Sequence, residues 1–178
     1  MTTHDPTSMA SITKLMTGTL LMKFVDHGLI DLDAPLNKYL PQLNRDVEKH
    51  ITIRHLMTHT SGFSGPSNWG HDWNHSLENQ FGQYLPYLEV GSKFTYTGFG
   101  YAVVAKVMER ITGRAIPYLF QEHLFAPLGA HHTKVASTGG DATSICLDMT
   151  RLSQMLGSSG FYVGSPGFGG SGTYARSG

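Results

Sequence analysis

Apolar residues in this chain recur at spacings of three and four, in segments several of which run up to a glycine. That pattern constrains the fold most, because a helix buries one stripe and glycine readily adopts the left-handed backbone that ends it. Residues 11–27 set Ile12, Leu15, Met16, Leu20 and Phe24 on such a stripe, with Gly28 as the stop. Thr52 is placed to cap a helix over 53–59, with Gly62 just beyond it. Residues 99–111 turn helical through Tyr101, Val104, Ala105 and Met108 before Gly113. A helix over 115–124 tolerates Pro117 in its first turn. The last helix, over 144–156, carries Ile145, Met149, Leu152 and Leu156 on one face.

Between these segments the signals are weaker. Residues 29–41 alternate apolar positions with Asp31, Asp33, Pro35 and Pro41, which reads as a turn and a short helix. A loop is expected over 61–75, then a helix over 76–88 weakened by Gly82. Residues 93–96 form a short β-like stretch. From Gly157 onward eight of 22 residues are Gly and five are Ser, leaving room for one strand over 164–174. The expected organisation is one domain over 1–178: an arm (1–10), a mainly helical body (11–156) and a Gly/Ser-rich segment (157–178). Its class is α+β, mostly helix with little sheet.

Composition removes several function classes. A chain of 178 residues buries roughly 70% of its unfolded surface and needs no disulfide or metal to hold a core. Its 13 Lys plus Arg balance 13 Asp plus Glu, without the basic excess of a nucleic-acid binder. The one cysteine, Cys146, excludes an internal disulfide framework and a Cys-based zinc cluster. No run approaches the ~18 apolar residues of a membrane span, and no basic-then-apolar signal pattern opens the chain.

The sharpest chemical feature is Ser11-Ile12-Thr13-Lys14 at the start of the first helix. A serine hydroxyl is a poor nucleophile until a nearby base takes its proton. Positions i and i+3 share a helix face, so the lysine amine can approach that hydroxyl. Partial burial would lower the lysine's pKa enough for some of it to act as a base. The first helical turn would also offer free backbone N–H groups to a developing oxyanion. Taken alone, the four residues fit an ordinary solvated helix start as well.

Context adds to them. Ala10-Ser11-Ile12-Thr13-Lys14-Leu15-Met16-Thr17 is followed by Leu29-Ile30-Asp31-Leu32-Asp33-Ala34-Pro35-Leu36 and Tyr39-Leu40-Pro41. Then come Ile51-Thr52-Ile53-Arg54-His55-Leu56-Met57-Thr58-His59-Thr60-Ser61-Gly62 and Phe94-Thr95-Tyr96. This succession, in order from about residue 8 to about 156, resembles the serine β-lactamase and penicillin-binding-protein superfamily. Within it the likeness is to the class C β-lactamase-like branch, which includes family VIII carboxylesterases and D,D-peptidases.

The resemblance implies a serine hydrolase working through an acyl-enzyme without metal or cofactor. Its substrate would be a small molecule: a β-lactam, an ester or a D-Ala peptide. Ser11 matches the nucleophile, Lys14 the lysine that shares its proton, and Tyr96 the tyrosine of the family's Tyr-x-Asn motif. Here that motif reads Tyr96-Thr97-Gly98, so the amide donor is missing, a change that handicaps lactam hydrolysis more than ester hydrolysis. Phe168-Gly169-Gly170 matches the final motif, with the backbone N–H near Ser171 as an oxyanion donor. Relatives are commonly periplasmic or secreted.

The family's strands before the Ser-x-x-Lys helix and after the last motif have little counterpart here. The helical subdomain is therefore expected with a reduced antiparallel sheet. An uncovered apolar face would favour a homodimer, or a silent relative that binds without turnover.

The histidines pose a rival. His55 and His59 lie at i and i+4, a zinc-ligand spacing, yet no glutamate follows His55 to complete the protease pattern. In the resembled family that block shapes the loop beside the site. His71, Asp72 and His75 form a loose polar cluster near Trp69 and Trp73, and His131-His132 is expected on the surface after the Pro127-Leu128-Gly129 turn. Glu78, Glu89 and Glu109 show no spacing of a catalytic acid pair.

Overall fold

The first two turns of the helix over Phe99–Thr112 are apolar on nearly every side, and such a stretch belongs inside a core. Phe99, Ala102, Val103, Val104, Ala105, Val107 and Met108 are all buried. The computed structural model describes residues 2–43, 50–63, 88–136 and 139–158. In chain order its helices are α1 (Ile12–Asp26), α2 (Ile53–Met57), α3 (Phe99–Thr112), α4 (Ile116–Phe120), α5 (Ala126–Leu128) and α6 (Cys146–Gly157). A 3-10 turn, Leu36–Lys38, lies between α1 and α2, and a π-helical turn, Gln121–Phe125, joins α4 to α5. Strands β1 (Thr7–Ser8), β2 (Lys134–Val135) and β3 (Ala142–Ser144) form one antiparallel sheet ordered β1-β3-β2. The class is α+β, a helical body with a small sheet.

Both α1 and α2 pack on α3. The α2–α3 contact is close: a Cβ on Gly100 would stand 2.7 Å from the Leu56 carbonyl oxygen. Tyr101 then donates its hydroxyl to the Met57 carbonyl at 3.1 Å. On α1 the buried stripe is Thr13, Met16, Thr17, Leu20, Leu21 and Phe24, while Ile12 and Leu15 stay 52% and 51% exposed. Periodicity misplaces those two because it ignores threonine. Thr17 can be buried since its hydroxyl donates to the Thr13 and Gly139 carbonyls at 3.1 and 3.0 Å.

Other departures have local causes. Thr52 caps α2 as expected, its Oγ1 accepting the His55 N–H at 3.3 Å while His55 Nδ1 accepts the Thr52 N–H at 3.2 Å. The helix stops at Met57 rather than His59, because His59 turns left-handed at φ +59. Residues 93–96 form no strand; the Thr95 N–H goes to the His59 carbonyl at 2.8 Å. The helix expected to 124 passes into the π-turn. Pro127 has no N–H for the His123 carbonyl, which instead accepts from Lys23 Nζ at 3.3 Å. Ser144 is in β3, so the last helix begins at Cys146. A fully buried Asp148 ties α6 down, accepting from the His132 N–H at 2.8 Å, Thr133 Oγ1 at 3.0 Å and Arg151 at 3.3 Å. Most of the 61–75 loop, the helix over 76–88 and the strand over 164–174 lie outside the described residues.

Two glycine substitutions separate helix propensity from packing. Gly18→Ala should stabilise the protein by about 0.5–1 kcal/mol, since its Cβ meets Met57 Cε at an ordinary 3.6 Å. Gly100→Ala gains the same propensity but forces α2 from α3, and should destabilise by roughly 1–3 kcal/mol. Urea midpoints of both variants check the opposite signs.

Candidate active site

The sheet, small as it is, fixes where α1 starts. Thr7 pairs with Ser144 and Ser8 with Thr143, and the Met9 N–H adds a bond to the Ala142 carbonyl at 2.8 Å. The chain then reverses through Ala10 at φ +43, a left-handed backbone that costs an alanine roughly 1–2 kcal/mol. Ser8 Oγ accepts the Ala10 N–H at 3.3 Å and donates to Asp141 Oδ1 at 3.4 Å, holding the turn. Ser11 follows at the N-cap position of α1, exposed to solvent.

Serine at an N-cap ordinarily bonds the first helical turn, but Ser11 makes no such bond. Its hydroxyl instead lies 2.6 Å from the Tyr96 phenol oxygen. The N–H groups of Ile12, Thr13 and Lys14 are taken by the carbonyls of Met9, Ala10 and Ser11. The expectation of several free first-turn donors is therefore corrected. Among the described residues, the Ser11 amide is the one at this corner without a hydrogen-bond partner.

Lys14, one turn along, sits half-buried with its amine 5.0 Å from the Tyr96 ring centre and 5.7 Å from that of Tyr101. Spacing alone aims the lysine at the serine; the structure puts a tyrosine on both. The Ser11 hydrogen bond, then the Lys14 amine, hold the Tyr96 phenol below the usual tyrosine range. Tyr101 moves the other way: burial, and then Tyr96 itself, push its phenol up.

Tyr96 lies in the stretch just before α3, residues 93–97, and His59 holds that stretch. The Thr97 N–H donates to His59 Nδ1 at 3.2 Å. The His59 ring lies against Tyr96 at 4.6 Å between centres, with Phe94 and Tyr101 on its other sides. Thr97 Oγ1 accepts the Phe99 N–H at 3.1 Å, which starts α3. Gly98 occupies the N-cap of α3 and brings no side chain to the site. Spacing marks His59 only as a zinc-ligand candidate and the resemblance only as part of the block beside the site; neither carries a signal for a histidine used as a backbone bracket, and nothing in the sequence marks Thr97.

Other candidates fall away from this cluster. The Nδ1 atoms of His55 and His59 both accept backbone N–H bonds, and the left-handed turn takes His59 off the α2 face. His131 and His132 are exposed, as expected, and Glu109 accepts the Ile116 N–H at 2.8 Å. Phe168, Gly169, Gly170 and Ser171 lie outside the described residues, as do Trp69, His71, Asp72, Trp73, His75 and Glu78.

Comparison with known proteins gives a consistent set. The family model described as Beta-lactamase matches residues 1–143. Penicillin-binding protein 4 of Amycolatopsis lactamdurans is 29% identical over 143 residues, covering 75% of this chain and 37% of that protein. D-alanyl-D-alanine-carboxypeptidase/endopeptidase AmpH of Escherichia coli K12 is 31% identical over 138 residues, covering 70% and 35%. The crystal structure of a "putative beta-lactamase" from Bacteroides dorei DSM 17855 superposes with a TM-score of 0.81 at 25% identity, covering 92% of this chain and 54% of its own. This chain thus spans little more than a third of the length of those two curated relatives.

His59 gives the site an acid sensitivity of known sign. Burial, and then the Lys14 charge, hold its imidazole below the ordinary value, so the unfolded chain binds the proton more readily. Stability from this group is complete above about pH 6.5 and falls as pH drops through the depressed folded value. The melting temperature should hold from pH 8 to about 7 and then decline, with a shallower decline in His59→Asn; calorimetry across that range checks both.

Proposed function

The chain belongs to the β-lactamase family, and on that premise we propose that it is a serine hydrolase acting by acyl transfer at Ser11. The carrying observation is the 2.6 Å contact between the Ser11 hydroxyl and the Tyr96 phenol beside the Lys14 amine. As a phenolate, Tyr96 takes the Ser11 proton while Oγ forms a bond to the substrate carbonyl carbon. The carbonyl electron pair moves onto oxygen, where the free Ser11 N–H stands as one donor and the segment at Ser171 is the expected second. Collapse expels the leaving group, which receives the proton from Tyr96. Water then gives a proton to the same phenolate as its oxygen attacks the acyl carbon; the bond from that carbon to Ser11 Oγ breaks, the acyl group leaves as an acid, and Tyr96 returns the proton to Ser11. The Lys14 amine favours the phenolate.

The substrate class is a β-lactam, a carboxylic ester or a D-Ala peptide. Gly98 decides the emphasis: no side-chain amide orients a substrate amide there, so esters with a short acyl group are the preferred substrates. A second reading, a silent relative that pairs with another copy, draws on Ile12 and Leu15, half exposed on the helix that Ser11 opens. Light scattering that returns a monomer ends it.

Two variants test the first reading. Ser11→Ala should lose p-nitrophenyl ester hydrolysis by at least about a thousandfold and show no mass increase after penicillin treatment. Tyr96→Phe should lose about 10²–10⁴-fold while keeping Ser11 in place. The rate should rise with pH through a value below about 10, because the working form of Tyr96 is the deprotonated one. Equal labelling and turnover by wild type and Ser11→Ala would overturn the proposal.

A further inference from the structure

Tyr96 has little of its own to hold it. It is 54% exposed, sits in neither helix nor strand, and yet its oxygen must stay within hydrogen-bond reach of Ser11. A phenol so placed would sweep through several rotamers unless its backbone and ring were fixed from outside.

One residue fixes both. The His59 carbonyl accepts the Thr95 N–H at 2.8 Å and its Nδ1 accepts the Thr97 N–H at 3.2 Å, so the residues either side of Tyr96 hang from the same histidine. Between those two bonds the imidazole face lies 4.6 Å from the phenol ring, at a tilt of 39°. We propose that His59 is the positioning residue for Tyr96, setting both the path of residues 95–97 and the ring orientation that delivers the phenol oxygen to Ser11. For its functional meaning this rests on the role proposed for Tyr96; the geometry stands without it.

The residue type follows from three demands made at once. The backbone at 59 is left-handed, which glycine accepts freely, Asn, Asp and His tolerate, and bulky or branched residues resist. The side chain must present a neutral acceptor one atom beyond Cγ, which excludes glycine. It must also lay an aromatic ring against the phenol, which Asn and Asp lack. Histidine meets all three, and at 7% exposure it does so almost out of solvent.

An imidazole that accepts at Nδ1 carries its proton on Nε2 and is neutral. Protonation would turn Nδ1 into a donor facing the Thr97 N–H and break the bracket. The surroundings of the ring oppose that: burial and the charge of the Lys14 amine on α1 both disfavour an imidazolium, and the phenols packed on it, Tyr96 from residues 93–97 and Tyr101 from α3, bring no carboxylate to favour one. The lysine that favours the phenolate therefore also keeps the bracket in its accepting form.

The test reads the phenol directly and needs no substrate. Tyrosinate absorbance is titrated in the intact protein, and subtracting the curve of a Tyr96→Phe partner isolates one phenol among eight. In the His59 wild type that phenol should ionise below the ordinary value of about 10. His59→Gly keeps the left-handed backbone comfortable but removes acceptor and ring, and should shift the Tyr96 ionisation up towards about 10. His59→Asn restores the acceptor at the right reach but not the ring, and should recover part of the shift. With a turned-over ester, His59→Gly should lower kcat by about 10²-fold with KM little changed, the signature of a misplaced group rather than lost binding. A folded His59→Gly variant whose Tyr96 titrates as in wild type overturns the assignment, as does His59→Asn behaving like His59→Gly. If the titrations follow the expected order but no ester or lactam is turned over, the bracket holds and only the hydrolase reading fails.

Discussion

A missing methyl group joins the two parts of this molecule. Gly100 lets α3 lie against the backbone of α2 at Leu56, closer than any side chain would permit. From that joint the end of α2 and the start of α3 emerge side by side, and residues 95–97, just before α3, lie across His59. Spacing the two helices by one carbon would move Tyr96 relative to α1, although no atom of Gly100 touches the site. The core residues of α3 make the joint worth keeping, because they are buried on every side and leave the helix nowhere else to go.

The opposite wall is held by different means. Ser11 stands on a strand-to-helix corner whose strand is two residues long and whose turn is strained at Ala10. Such a corner persists only where its surroundings over-determine it. Here they include the β1–β3 pairing, the Met9 bond to Ala142, and the Ser8 hydroxyl bridging Ala10 and Asp141. The strain frees the Ser11 hydroxyl from capping its own helix, so that it points across to another element.

Sequence periodicity reads the long helices well because α1 and α3 are longer than three turns and end at glycines with positive φ. Ser11, Lys14 and Tyr96 come from residue order rather than from periodicity, and the structure brings the three together. Periodicity fails where the structure is set by single hydrogen bonds. Strands of two or three residues are too short to show alternation, so β1 to β3 left no trace. A π-turn before Pro127 and a left-handed histidine after α2 depend on which carbonyl finds which donor. Ile12 and Leu15 show the converse error: apolar identity is not burial, and threonines take the inner positions because a backbone carbonyl serves Thr17.

The two phenols around Lys14 carry a consequence of their own. Their ring centres stand at 5.0 and 5.7 Å from the same amine, yet that amine lowers the pKa of Tyr96 alone. Solvent and partners divide them. Tyr101, with its hydroxyl spent on a carbonyl and its ring half-buried, is driven towards permanent neutrality. Tyr96, open to water and sharing a proton with a serine, is left as the acid of the pair. A single cation thus polarises one neighbour and leaves the other inert, and the protein selects between chemically identical rings by which phenol oxygen it hydrogen-bonds to the serine and the amine and which it buries.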